Sequence, residues 1–429
     1  MTPFSRAGGV VAACAMAMAL TVVPTVAAQA DEGTNWWYDG FKVAEVQADG
    51  WTGAGVKVAV IDKQINPDLD VFQGAHLTVD DRALCKSGEV RVSGSDVSDE
   101  ASHGSDVTAL LIGNGKGKGN VRGIAPDADV TFYGTGPADT LGLCDPAGDF
   151  DGRSALGEGI HRAVAGGARV ISISQGSSSM TSADDEAVAA ALAAGVVIVV
   201  ATPNSANEAD QTWPWSFNGV VAVNAFDTSG RIQEDQQIPG KRIGWKETTV
   251  VAPGVDFPSV DWRSGSWIIS GASLATPLTA GIVAVAAQKY PKATGNQLIQ
   301  SLIHNTGTEE HELSREGALG YGRVSLRHVL NVDPTTYPDE NPLMDKSSGR
   351  PTAAQVANAQ AAASPVPSAS PTHWSPSATP GALASSGGGL VVPLLVGGGV
   401  ILLLIVIAVV VIIVVVTNRK KNKSVGGAV

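Results

Sequence analysis

The feature that most limits how this chain can fold is a repeated alternation between residues 56 and 329, in which short β-branched runs are each followed by a helical pattern. Residues 56–61, 129–133, 169–174, 195–201 and 219–224 read as strands. Helical patterns follow Ser102, with Val107, Leu110 and Leu111 on one face, and occupy 155–165, 183–194 and 272–289. A strand with one solvated face alternates apolar and polar residues, whereas Gly-Val-Val-Ile-Val-Val-Ala at 195–201 is apolar on both faces. The pattern predicts an α/β fold: a doubly wound, mainly parallel sheet with helices on both faces. Ligands in such sheets bind beyond the carboxyl ends of the strands, so polar residues directly after strands are the ones to examine.

The chain ends differ from this core. Residues 1–30 carry Arg6, an apolar stretch and Ala28-Gln29-Ala30, a small-x-small cleavage site, and read as a signal peptide; an uncleaved anchor is the alternative. Residues 31–50 form an N-terminal extension before a domain at 51–332. From 333 to 389 the chain is rich in Ala, Pro, Ser and Thr and reads as a linker, since such a stretch buries too little apolar area to offset its ordering entropy. Residues 390–416 hold no charge, and a membrane span needs about 20 apolar residues, so they predict one C-terminal transmembrane helix. Arg419, Lys420, Lys421 and Lys423 follow, which by the positive-inside rule keeps the tail at 417–429 cytoplasmic and the domain outside.

Charge and cysteines narrow the function. The chain has 29 basic and 41 acidic residues, and the part before the span is more acidic still. A binder of phosphate backbones carries a basic surface, so nucleic acid is excluded as a partner. Of three cysteines, Cys14 lies in the predicted signal. Cys85 and Cys144 remain, without a C-x-x-C spacing for a metal; outside the cell they read as one disulfide, with two buried thiols as the alternative. Asp68, Asp70, Asp80 and Asp81 lack the ordered spacing of a calcium loop and read as a solvated acidic loop.

Three residues together make a nucleophile work. Ser273 lies in Gly271-Ala272-Ser273-Leu274-Ala275, a turn that opens an apolar helix, where N-terminal amides favour developing negative charge. A free hydroxyl needs a neighbouring base. His103, near the start of the first amphipathic helix, is the candidate; His76, His161, His304, His311, His328 and His373 sit in polar loops or on helix faces. Asp62 ends the 56–61 strand, where a carboxylate can hold the histidine tautomer and stabilise the imidazolium. Alone, Ser273 reads first as an N-cap and His103 as a surface histidine, and Asp62 reads equally as a turn cap. Their chain order, Asp then His then Ser, is the order known from one of the three convergent triads.

The segments Val58-Ala59-Val60-Ile61-Asp62, His103-Gly104-Ser105 and Gly271-Ala272-Ser273-Leu274-Ala275-Thr276-Pro277 resemble the three signature segments of the subtilisin-like serine proteases, over roughly residues 51–330. The resemblance implies a subtilisin-like fold and an endopeptidase with no cofactor, in which Ser273 attacks, His103 moves the proton and Asp62 orients His103. It also implies that Asn204, after the 195–201 strand, supplies an oxyanion-hole amide. Ser174, Gln175 and Gly176 would pair with a protein or peptide substrate by strand addition. The sequence departs from the family at Lys63-Gln64 for Thr-Gly, Pro203 for Gly, Gln175 for Leu, and Asp106 for a second histidine. The layout of signal, protease, Pro-rich stalk, single span and basic tail is similar to the mycosins, which implies a place beside a type VII secretion membrane complex and an N-terminal extension packed on the domain. A general surface protease, and a structural subunit of such a complex, are the alternatives.

Overall fold

The structure, a computed structural model, describes residues 35–86, 88–93, 98–136, 145–260 and 268–363. The predicted signal, membrane span and tail therefore lie outside the described residues, as do Cys144 and His373. Among the described residues no helix is long and apolar enough to cross a membrane.

The strands are β1 (Lys57–Asp62), β2 (Leu77–Asp80), β3 (Asp129–Gly134), β4 (Val170–Ile173), β5 (Val197–Ala201), β6 (Val221–Phe226), β7 (Glu234–Asp235), β8 (Ile238–Arg242), β9 (Val250–Pro253), β10 (Phe257–Pro258) and β11 (Ile268–Ile269). Seven of them make one sheet in the order β2-β3-β1-β4-β5-β6-β9. Every pairing in it is parallel. The pairs β7–β8 and β10–β11 are small antiparallel ribbons. The helices are α1 (Trp36–Gly40), α2 (Val43–Ala48), α3 (Asp99–Ile112), α4 (Ala155–Ala165), α5 (Ser182–Ala193), α6 (Ala272–Lys289), α7 (Gly295–His304), α8 (Leu326–Asn331) and α9 (Ala353–Ala363).

The apolar runs work as their composition predicts. Val58 and Val60 of β1, Val197 and Val199 of β5, and Val221 and Val223 of β6 point into the core shared with α3, α6, α7 and α8. Their neighbours Ala59, Ile61, Ile198, Val200 and Ala222 point into the opposite core with α4 and α5. Successive side chains of a strand face opposite ways, so a strand covered on both faces must be apolar throughout. The fold is thus an α/β fold with a parallel central sheet covered by helices on both faces.

Helices α4 and α6 begin and end where the sequence places them. Helix α3 starts earlier than the apolar pattern suggests, because the Ser98 hydroxyl accepts from the Ala101 N–H and caps it. In the seven-stranded sheet two strands escape the pattern: β2, a half-buried edge of four residues, and β9, four residues ending in Pro253; the short ribbons β7–β8 and β10–β11 escape it too.

Folded structure continues past 51–332 on both sides, and the extension packs on the domain as the resemblance implies. At the amino end, from Asn35 onward the extension is part of the folded body. Trp37 is fully buried and stacks on Phe257 with ring centroids 6.2 Å apart. Trp36 Nε1 donates to the Val255 carbonyl (3.2 Å), and Gln47 Nε2 to that of Gly123 (2.8 Å). At the carboxyl end, the expected linker at 333–389 is folded as far as 363. Leu343 is fully buried, and the Lys346 ammonium, inside the protein, donates to the Trp215 (2.9 Å) and Val220 (2.6 Å) carbonyls. Asn218 N–H donates to the Arg350 carbonyl (2.7 Å), and Arg350 pairs with Asp185 (3.0 Å). The reason is physical: this segment is held by polar bonds to backbone groups, which leave no apolar periodicity to read. Burial pushes the Lys346 ammonium down to about 7 against the attraction of Glu247.

Candidate active site

Asp62 is the last residue of β1, fully buried at the carboxyl edge of the sheet. Its Oδ1 accepts from Lys63 N–H (2.8 Å) and lies 2.8 Å from His103 Nδ1. A neutral histidine facing a carboxylate donates from that nitrogen, which fixes the tautomer and leaves Nε2 as the acceptor. The His103 side chain keeps 33% of its surface exposed, so it is reachable from solvent. Burial works against charging this imidazole, but the charge and hydrogen bond of Asp62 outweigh it and hold it above the ordinary histidine value. Lys63 works against Asp62 here, and Asp106 with it.

The motif His103-Gly104-Ser105 docks residue by residue onto the chain after β1. A Cβ on residue 104 would sit 2.0 Å from the Gln64 carbonyl oxygen, so only glycine lets α3 approach this closely. The Ser105 hydroxyl accepts from Asn66 N–H (3.0 Å), and Gln64 Oε1 accepts from the helix cap Ser98 (3.3 Å). Lys63 thus holds Asp62 through its backbone, and Gln64 ties β1 to α3. Asp106, buried at the position of the family's second histidine, accepts from Val260 N–H (2.7 Å) and Ser259 Oγ (2.9 Å).

Ser273 is the second residue of α6 and is buried. Pro277, inside the helix, has no N–H for the Ser273 carbonyl four residues back, and the Ser174 hydroxyl donates to that carbonyl instead (2.8 Å). Ser174 follows Ile173, which pairs with Ile61, just as Asp62 follows Ile61. Strand register therefore brings the α6 N-terminus to the sheet edge where Asp62 stands.

Asn204 follows β5 by three residues. Its Oδ1 accepts from Ala272 N–H (2.8 Å) and from Gln233 Nε2 (3.0 Å), which leaves Nδ2 pointing elsewhere. A Cβ built on Gly271 would lie 3.1 Å from that Nδ2 and 3.2 Å from Ser273 Oγ, so the amide and the hydroxyl flank one small space that a side chain at 271 would fill. Pro203 is braced by Trp245 Nε1 on its carbonyl (2.9 Å). Of the predicted substrate residues, the Ser174 hydroxyl is spent on α6, and Gln175 Nε2 is buried without a partner.

The sequence reading missed Gln233, Asn224 and the bond from Ser174 to α6; only the adjacency of a polar residue to a strand end hinted at the last. Of the acidic residues near 68–81, Asp80 pairs with Arg82 (2.6 Å) and Asp81 with Arg91 (3.6 Å), while Asp70 accepts from Gln73 Nε2 (2.7 Å). His76 pairs with Asp129 on the surface (3.1 Å), and His304 stacks on Tyr337.

A parallel α/β sheet whose carboxyl edge carries a carboxylate-bound histidine and, at the same edge, the N-terminus of a helix that opens with a serine has an arrangement suited to hydrolytic chemistry. Comparison identifies which. The model described as "Subtilase family" matches residues 53–322, and the chain belongs to this family; it is a subtilisin-like serine endopeptidase. It is 31% identical over 279 residues to Subtilisin DY of Bacillus licheniformis, covering 62% of this chain and 89% of that one. It is 25% identical over 298 residues to the minor extracellular protease Epr of Bacillus subtilis (strain 168), covering 69% of this chain but only 42% of that protein's length. Among solved structures, the fold is similar to fervidolysin from Fervidobacterium pennivorans (TM-score 0.55, 23% identity, 70% of this chain and 47% of that one). It is also similar to MycP1 from the ESX-1 type VII secretion system (TM-score 0.51, 20% identity, 73% of this chain and 90% of that one).

Proposed function

We propose that the chain is a membrane-anchored, extracytoplasmic serine endopeptidase that uses Asp62, His103 and Ser273 and serves a type VII-like secretion system. The observation that carries the chemistry is the 2.8 Å contact between His103 Nδ1 and buried Asp62, at the sheet edge where Ser174 holds the α6 N-terminus and its serine. Ser273 Oγ attacks the substrate carbonyl while His103 Nε2 takes its proton. Asp62 orients the ring and stabilises the imidazolium, which then returns the proton to the leaving amine. Asn204 Nδ2 and the Ser273 N–H stabilise the tetrahedral oxyanion. The peptide pairs with the backbone at Ser174, Gln175 and Gly176.

The anchoring reading rests on the uncharged 390–416 stretch and the basic residues behind it. The secretion reading rests on the similarity to MycP1 in fold together with that layout. A bond pairing Cys85 with Cys144 fits an outer location: Cys85 is buried and disulfide-bonded, and Cys144 is the other cysteine beyond the predicted signal.

Fluorophosphonate labelling of the full-length chain beside Ser273→Ala tests the chemistry, with labelling expected in the wild type alone. A folded wild type that does not label overturns it. In the host, Ser273→Ala and deletion of the whole chain separate an enzymatic role from a scaffolding one: secretion lost only on deletion makes the chain a structural subunit. Cleavage of many unrelated surface proteins, with secretion intact in both strains, makes it a general surface protease.

A further inference from the structure

A side-chain amide serves an oxyanion only if it presents nitrogen, and its two ends are almost the same size, so something must decide which end faces Ser273. Asn224, fully buried in β6, is set by the backbone: its Nδ2 donates to the Ile243 carbonyl (2.9 Å), and its Oδ1 accepts from Ala225 N–H (2.8 Å). The Asn224 oxygen therefore faces Gln233, and the group it meets there at 2.8 Å must be the Gln233 amide nitrogen. Gln233 is itself buried, with its N–H on the Ala225 carbonyl (2.9 Å) and its carbonyl accepting from Ile243 N–H (3.1 Å). The second proton of the same nitrogen points to Asn204, which must answer with oxygen at 3.0 Å. Ala272 N–H makes the same demand from α6. Turned by half a rotation, Asn204 would set its NH2 against two donors and its oxygen against the developing negative charge.

We infer that Gln233 is a positioning residue that carries a fixed amide polarity from the interior of β6 to Asn204 and so holds Asn204 Nδ2 toward the oxyanion. The inference rests on the reading of Asn204 as an oxyanion donor and adds the device that orients it. The contact is reinforced from the same ribbon, where Gln236 N–H donates to the Asn204 carbonyl (3.0 Å).

The test is saturation kinetics of fluorophosphonate inactivation on the full-length chain, which separates the inactivation step from probe binding. Asn204→Ala is expected to slow the inactivation step by about 10²–10³-fold. Gln233→Met, which keeps the length and loses both donors, is expected to slow it by roughly 10–100-fold with probe binding unchanged. Gln233→Glu, of the same shape but with acceptors only, draws the Asn204 nitrogen toward itself and is expected to match Asn204→Ala; it also stands in if the methionine variant does not fold. Added to Asn204→Ala, either substitution is expected to change nothing further, because the group it positions is gone. A wild-type inactivation rate in both Gln233 variants overturns the inference, as does a double variant slowed by the product of the two single effects. If Asn204→Ala itself reacts at the wild-type rate, the oxyanion reading of Asn204 falls and the role of Gln233 falls with it.

Discussion

On the side proposed to hold the oxyanion, Asn204 is held by Ala272 N–H and by an amide chain that runs through Gln233 to Asn224 and the backbone. On the proton-transfer side, Asp62 holds His103 by one 2.8 Å contact, and its second oxygen is buried without a partner. A neutral amide gains its direction only from the bonds around it, since both its orientations fit the same space. A buried carboxylate needs less bracing, because its charge acts on the imidazole in a medium of low dielectric. One side is directed by geometry and the other by charge.

The two sides should therefore fail differently. The largest loss is expected at the centre they share: Ser273→Ala should abolish fluorophosphonate labelling and lower turnover on the order of 10⁶-fold, the loss measured when the serine of a related subtilisin is removed. Asp62→Asn keeps the shape and removes the charge, and is expected to cost about 10⁴-fold in kcat, because the ring is offered the wrong tautomer. Gly271→Ala breaks the geometric side: the added methyl would stand between Asn204 Nδ2 and Ser273 Oγ, at 3.1 and 3.2 Å. It is expected to lower kcat by about 10²-fold or more, as loss of an oxyanion donor does, while the acid limb of the pH profile stays in place.

That limb sharpens the comparison. The proposed mechanism needs His103 neutral, and Asp62 holds its pKa above the ordinary value against burial. Activity should accordingly rise with pH through a midpoint higher than that of an unperturbed histidine, measured as kcat/KM on the free enzyme. In the residual activity of Asp62→Asn the midpoint should fall, since burial and Lys63 would then outweigh Asp106. In Gly271→Ala it should not move. The sign for stability runs the other way: the Asp62 contact stabilises the fold below the unfolded histidine value and loses that contribution as pH rises through the raised one.

Much of this was legible in the sequence, and the residues show why. Asp62, His103 and Ser273 each stand next to a strong periodic signal, a buried strand or the start of an apolar helix, so they were found as exceptions to a pattern. The bounds of α4 and α6 followed from apolar spacing. Gln233, by contrast, lies beside an exposed ribbon among other glutamines, and its partner Asn224 sits in an otherwise apolar strand; their meaning comes from a contact between β6 and a loop, which no local pattern encodes. The strap through Lys346 was missed for the same reason, as its bonds reach carbonyls more than a hundred residues away.

The smallest expected effect lies where the two sides meet. Ser174 touches neither the proton nor the oxyanion; its hydroxyl donates to the carbonyl of Ser273 at 2.8 Å. Most residues of a helix would receive an N–H there from four positions on, but that position is Pro277, so the serine completes the first turn of α6 from outside. Ser174→Ala would leave a buried carbonyl short of a donor, at a cost of about 1–3 kcal/mol in unfolding free energy. For a domain of this size each kcal/mol corresponds to roughly 2–4 °C in Tm. Turnover is expected to fall by no more than about tenfold, because the nucleophile is displaced and nothing in the chemistry is removed. Pro277→Ala supplies an N–H to the same carbonyl, so in the Ser174→Ala background it should recover part of the lost Tm and kcat together. If Ser174→Ala instead raised KM with Tm unchanged, its role would lie in substrate pairing, and the support for the α6 turn would have to come from elsewhere.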